Sequence, residues 1–185
     1  MENTFDAIVV GTGISGGWAA KELTEKGLKT LVLERGRMIK HIDDYHTANM
    51  EPWDFEGGDT ITQEALKRQP KQSRTGYVNT ESSRHFFVDD LDHPYNDDKN
   101  KFNWIRGYHV GGRSLTWGRH TYRLSEFDFE ANLKDGIAVD WPIRYKDIAP
   151  WYDYVEQYIG VQGRAEGLSQ FPDGKFLKPF DLNVV

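Results

Sequence analysis

The sequence predicts an α/β fold built on a strand-helix-strand unit, and three observations carry that prediction. Phe5-Asp6-Ala7-Ile8-Val9-Val10 is a short apolar run that stops at a glycine turn, Gly11-Thr12-Gly13-Ile14-Ser15-Gly16. Behind the turn Ile14, Trp18, Ala19, Ala20 and Leu23 recur at near-helical spacing, and Gly27 closes the helix. Thr30-Leu31-Val32-Leu33 then forms a second apolar strand that ends on an acid, Glu34.

Each residue type has a physical task in that unit. Gly11 allows the tight turn out of the first strand, Gly13 lets main chain approach a pyrophosphate without an intervening Cβ, and Gly16 lets helix and strand pack closely. Phosphates at such a turn sit on the helix N-terminus, among the backbone of Gly13, Ile14, Ser15 and Gly16, where free N–H groups and the helix dipole favour negative charge. Glu34, 18 residues beyond Gly16, is placed to accept hydrogen bonds from a ribose 2′-OH and to repel a 2′-phosphate. This favours FAD or NAD over NADP, and the motif alone does not choose between the first two.

Composition narrows the function classes. A chain of 185 residues, 38% hydrophobic and 28% charged, has the balance of a soluble globular protein. Its 23 basic and 29 acidic residues leave a net charge of −6, which supplies no electrostatic footprint for nucleic acid. The absence of cysteine excludes disulfides, thiolate metal sites and a redox-active cysteine pair. No run is long enough to span a membrane, and the N-terminal apolar stretch is the first strand rather than a signal peptide. The expected location is the cytoplasm, with export beside a secreted partner subunit left open.

After Glu34 the alternation of strand and helix stops. Residues 37–101 are polar and show no sustained period, apart from a short helix expected at Ile61 to Arg68. A parallel sheet needs several strands covered on both faces, whereas two convincing strands are visible, and the chain reaches Leu182-Asn183-Val184-Val185 without a terminating signal. The sheet is therefore expected to be completed by sequence not present here, a loop-heavy minimal domain being the alternative.

A second glycine-rich stretch, Arg106-Gly107-Tyr108-His109-Val110-Gly111-Gly112-Arg113-Ser114-Leu115-Thr116-Trp117-Gly118, lets main chain come close to a flat or phosphorylated ligand, and Ser114 can donate to it. Read alone, it is equally well a glycine hairpin loop. Further on, Asp140-Trp141-Pro142-Ile143-Arg144-Tyr145-Lys146-Asp147-Ile148-Ala149-Pro150-Trp151-Tyr152 runs to Ile159-Gly160-Val161-Gln162-Gly163. Ile148, Trp151, Tyr152, Val155 and Ile159 share a helical face, Pro150 suits a first helical turn and Gly160 a left-handed cap, so this piece reads as a packing element.

Taken in order, the three pieces resemble the N-terminal part of a glucose-methanol-choline (GMC) oxidoreductase, in the branch that holds pyranose oxidase and the large subunits of sugar and sugar-acid dehydrogenases. The resemblance covers most of residues 5–163. It implies a partial Rossmann-type FAD-binding fold, with residues 1–185 as the N-terminal part of an FAD-binding domain. It also implies FAD rather than NAD. Gly11, Gly13, Gly16, Glu34 and Arg35 would hold the ADP half, with Gly111, Gly112, Ser114 and Thr116 on the segment near the pyrophosphate or isoalloxazine. Pyranose oxidase carries a flavin-bonded histidine where this chain has Thr116, which implies noncovalent FAD; His109 and His120 are out of register with that histidine. The implied reaction removes hydride from the CH–OH of an alcohol or sugar substrate to flavin N5, with an electron acceptor the sequence does not identify. The family's histidine base and its His or Asn partner lie near the C-terminus, and residues 164–185 contain no histidine, so the catalytic pair is expected beyond residue 185. An NAD-dependent dehydrogenase, a non-catalytic dinucleotide-binding module and a plain structural α/β domain remain as alternatives.

Other groups carry less. His41, Asp43, Asp44 and His46, and again His85, Asp89, Asp90 and His93, match no established metal-ligand spacing. Ser15, Ser114 and Ser125 lack the context of an activated nucleophile.

Overall fold

A computed structural model describes residues 3–76 and 78–181; the run 182–185 lies outside the described residues. The chain divides into two compact units, Met1–Trp117 and Gly118–Val185.

The first unit opens with strand β1 (Ala7–Val10), helix α1 (Ile14–Glu25) and strand β2 (Thr30–Leu33), and the two strands pair in parallel with Ala7 opposite Thr30 and Val10 opposite Leu33. The strand expected from Phe5 begins two residues later, because the N–H groups of Asp6 and Ala7 both turn to the Lys29 carbonyl. Helix α1 ends as the sequence predicts. Gly27 takes φ +82°, its N–H bonds the Thr24 carbonyl, and the Leu28 N–H bonds that of Leu23, a Schellman stop that satisfies two of the last carbonyls.

Among the described residues the sheet has two strands, and its apolar side chains are only partly covered: Ile8 is 61% exposed and Val10 81%. The α/β character of the sequence is thus present as one parallel pair with its connecting helix.

The polar excursion that follows is ordered by buried amides. Helix α2 (Gln63–Arg68) starts two residues inside the expected span, because Thr62 caps it by accepting the Ala65 N–H. Gln69 donates to the carbonyls of Arg84, Phe87 and Val88. Gln72, fully buried, donates to Asp90 and to the Trp104 carbonyl while accepting the Arg106 N–H. Irregular backbone cannot pair with itself as helices and sheets do, so side-chain amides close its hydrogen bonds. Among the described residues no helix is long and apolar enough to cross a membrane.

The second unit holds helices α3 (Glu126–Asp135) and α4 (Tyr145–Ile159). Ser125 and Asp128 form a capping box at the start of α3, which is where the Ser125 hydroxyl is engaged. Helix α4 corrects two details of the sequence reading. It begins at Tyr145, which puts Pro150 inside the helix rather than in its first turn, while Gly160 does take the left-handed cap at φ +76°. The expected packing face is also only partly covered: Ile148, Tyr152 and Val155 are half-buried, Trp151 is 58% exposed and Ile159 49%, and the residue α4 fully buries is Glu156.

Candidate functional site

The geometry of the first turn divides its three glycines between two tasks. Gly11 has φ +89° and donates its N–H to the Leu33 carbonyl at 2.7 Å, which pins the turn to the end of β2. Gly13 is the N-cap of α1, and no side chain caps the helix or places an acid in its first turn. A Cβ added at Gly11 or Gly13 would meet nothing within 4 Å, so the space in front of the turn is open. A Cβ at Gly16 would stand 2.0 Å from the Gly11 carbonyl oxygen, so this glycine is what lets α1 lie against the turn. Ile14 and Ser15 follow Gly13 in the first turn of α1, where free N–H groups and the positive end of the helix dipole favour negative charge.

Glu34 stands just past β2 and reaches back to this turn. One carboxylate oxygen accepts both the Thr12 N–H (2.8 Å) and the Thr12 hydroxyl (2.6 Å), and the other accepts the Gly36 N–H (2.8 Å). The Thr12 hydroxyl first, and then the Gly36 amide, hold the Glu34 carboxyl down at about 2, outweighing its partial burial. These three hydrogen bonds fill most of the carboxylate's lone-pair positions. Because the folded value lies below the ordinary 4.5, the stability Glu34 contributes is fully present above pH 4.5 and is lost as pH falls toward 2. Denaturant melts of the wild type and Glu34→Gln between pH 5.5 and 2.5 should therefore converge at the acid end; a constant gap would show that the carboxylate is not held in this way. Beside it, the Arg35 guanidinium lies 3.7 Å from the centre of the Tyr108 ring.

The second glycine motif meets the first. Gly111 (φ +92°) and Gly112 (φ +53°) turn the chain into a short 3-10 segment, Gly112–Leu115. The Gly111 N–H donates to the Thr12 hydroxyl oxygen at 3.1 Å, and a Cβ on Gly112 would lie 3.2 Å from the Gly13 Cα. Arg37 and His109 form an isolated parallel bridge, and a Cβ on Gly36 would overlap the His109 nitrogen at 2.1 Å. Two stretches far apart in sequence thus meet at one turn. The Ser114 hydroxyl donates to the Gly111 carbonyl at 2.8 Å, and Thr116 ends the turn with its N–H on the Arg113 carbonyl.

Thr12, Gly36 and Tyr108 are the site neighbours that the sequence reading assigned no role. Thr12 occupies a variable place in the glycine pattern, and only its hydroxyl, next to an acid at the tip of the following strand, could have marked it. His109 is buried, its Nε2 lies 3.3 Å from the Phe86 carbonyl oxygen, and burial pushes the ring below its ordinary value. The loop histidines His46 and His85 lie with tilted rings whose centroids are 4.5 Å apart, and His85 is pushed down to about 4 by burial and then by His46. Asp44 accepts from Arg37 and from the Lys40 amide, and Arg68 pairs with Asp89 and Asp92, so these acids serve loop structure. Among the described residues no group of three or more His, Cys, Asp or Glu is arranged to hold a metal ion. In the second unit a cleft of about 990 Å³ is lined by Arg119, His120, Tyr122, Phe171 and Phe176 among others.

No protein-family model matches the chain. It is similar to 6'''-hydroxyparomomycin C oxidase of Streptomyces lividus, at 25% identity over 168 residues that cover 88% of this chain and 24% of that protein. Paromamine 6'-oxidase of Streptomyces fradiae is 27% identical over 171 residues, 90% of this chain and 25% of that protein. Gluconate 2-dehydrogenase flavoprotein of Pantoea cypripedii is 27% identical over 174 residues, 86% of this chain and 26% of that protein. The chain therefore spans about a quarter of the length of the curated relatives it matches. All three are oxidoreductases by name and one is a flavoprotein, which supports the oxidoreductase expectation; the similarity is not confined to one branch.

Proposed function

We propose that this chain is the FAD-cradling N-terminal part of a flavin-dependent oxidoreductase that oxidises a CH–OH group of a sugar, polyol or sugar acid. The observation that carries the reading is the contact of Gly112 with Gly13 at the uncapped start of α1, beside an ionised Glu34. A ligand with paired phosphates, a ribose and a flat ring system fits that combination of anion-accepting helix end, acid and glycine-lined approach. The relatives named as oxidases and dehydrogenases support the reaction class, and the flavoprotein among them supports the cofactor.

When bound, FAD supplies an acceptor at its N5 for hydride from the substrate carbon. The chain's own part is binding and orientation. The backbone of Gly13, Ile14, Ser15 and Gly16 receives the pyrophosphate, and the remaining lone pair of Glu34 takes a ribose hydroxyl. The Glu34 charge turns away a 2′-phosphate, and Arg35 stands beside it. Gly111, Gly112, Ser114 and Thr116 would flank the ring system, and a threonine at 116 offers no imidazole for a flavin bond, which favours a noncovalently held cofactor. The base that takes the hydroxyl proton belongs to sequence beyond residue 185. The uncovered Ile8 and Val10 fit a sheet that gains further strands and covering helices from that same sequence, as parallel sheets do.

Titration of the chain with FAD, NAD and NADP is the direct test. FAD is expected to bind with a change in flavin fluorescence and NADP to be rejected. Gly13→Ala is expected to weaken FAD by about tenfold or more with an unchanged melting temperature, since the new Cβ meets nothing and the backbone, at φ −62°, suits alanine. Saturation by NAD without FAD would transfer the reading to a nicotinamide dehydrogenase, and binding of neither would leave a structural α/β unit.

A further inference from the structure

We infer that Thr12 is a positioning residue that couples the acid of the second strand to the second glycine motif, and through both sets nucleotide affinity and the exclusion of a 2′-phosphate. The inference rests on the dinucleotide reading proposed above. A threonine hydroxyl has one hydrogen to donate and lone pairs to accept with. Here the hydrogen goes to Glu34 at 2.6 Å and the oxygen accepts the Gly111 N–H at 3.1 Å, while the Thr12 main chain adds a second bond to the same Glu34 oxygen at 2.8 Å. One side chain thereby ties together the turn after β1, the residue after β2 and a loop 99 residues away.

The consequences follow from the charges and the spacing. Glu34 is an anion, and with its Thr12 side filled it keeps its open lone pair on one edge only, which fixes where a ribose hydroxyl can bond. Holding the Gly111 N–H keeps Gly112 against the start of α1, where a Cβ on Gly112 would stand 3.2 Å from the Gly13 Cα. Valine has the shape of threonine without the hydroxyl, and serine keeps the hydroxyl without the extra methyl. If Thr12 served packing alone, valine would replace it and serine would not.

The experiment compares wild type, Thr12→Val and Thr12→Ser on the full chain, with three readouts. The Glu34 carboxyl is titrated by carbon NMR, the Gly111 amide is followed by hydrogen exchange, and affinities are measured for FAD, for 5′-ADP and for adenosine 2′,5′-bisphosphate. Thr12→Val is expected to move the Glu34 titration upward by at least about one pH unit and to speed Gly111 exchange by roughly tenfold. It should also weaken FAD and 5′-ADP by about tenfold and narrow the preference over the 2′-phosphate compound. Thr12→Ser should stay within about twofold of wild type on every readout. The inference is overturned if Thr12→Val titrates and exchanges like wild type, or if Thr12→Ser falls as far as Thr12→Val. Should Thr12→Val not fold, Thr12→Ala is measured in its place with the same expectations. Wild type that binds no nucleotide would sink the dinucleotide reading, and the Glu34 titration and Gly111 exchange would still decide the coupling.

Discussion

Gly16→Ala is expected to cost this protein about 3 kcal/mol, the upper end of ordinary overpacking, and to lower its melting temperature by roughly 10 °C. The new Cβ would stand 2.0 Å from the Gly11 carbonyl oxygen and 3.0 Å from its carbon, so the obstacle is backbone and not the flexible end of a side chain. Relief requires either α1 to lift off the turn or the Gly11 N–H to leave the Leu33 carbonyl, which it bonds at 2.7 Å. Alanine gains about 1 kcal/mol of helix propensity over glycine, which offsets only part of the cost. Gly36→Ala, with its Cβ 2.1 Å from the His109 nitrogen, should behave in the same way. The informative comparison is with Gly13→Ala, which faces open space. Melts of the three variants side by side should put Gly16→Ala and Gly36→Ala well below wild type and Gly13→Ala level with it. Equal melting of Gly13→Ala and Gly16→Ala would mean that the glycines do not divide their tasks as the geometry indicates.

The legible parts of this molecule are those in which local chemistry and backbone geometry say the same thing. The run from Ala7 to Leu33 combines strand, turn, helix and strand with glycines where the chain must turn or approach closely, and it folds as that pattern predicts. That Gly111 and Gly112 would meet Thr12 and Gly13 could be expected only from the family resemblance, since no periodicity links positions 99 residues apart. Residues 37–101 gave no period because their order comes from individual buried amides such as Gln69 and Gln72, which a sequence shows merely as polar residues in a loop. The face of α4 is legible only in part for a related reason: Ile148, Tyr152 and Val155 are half-buried as their type suggests, whereas the fully buried position belongs to Glu156, whose partner lies 33 residues earlier.

That partner, Arg123, carries the second large expectation: Arg123→Met should destabilise the chain by about 3–5 kcal/mol. The Arg123 side chain is 4% exposed and that of Glu156 6%, and the guanidinium makes a two-pronged contact with the Glu156 carboxylate at 2.7 and 2.6 Å. It also donates to Asp153 at 2.6 Å and to the Tyr145 hydroxyl at 3.0 Å, and these bonds, with that of Glu156 foremost, push the Arg123 pKa further above its ordinary value. Removing the cation leaves a buried carboxylate without a counter-charge, a penalty much larger than the net worth of the pair. Asp153 is less exposed to this loss because Lys175 also binds it, at 3.0 Å. The pairing itself is isolated by adding Glu156→Leu to the arginine variant. If the cost comes from the stranded charge, the double variant should regain most of the lost stability, so that its penalty is far smaller than the sum of the two single ones. Penalties that simply add, or an Arg123→Met loss below about 1 kcal/mol, would show that Arg123 and Glu156 act as separate packing residues and not as a buried ion pair.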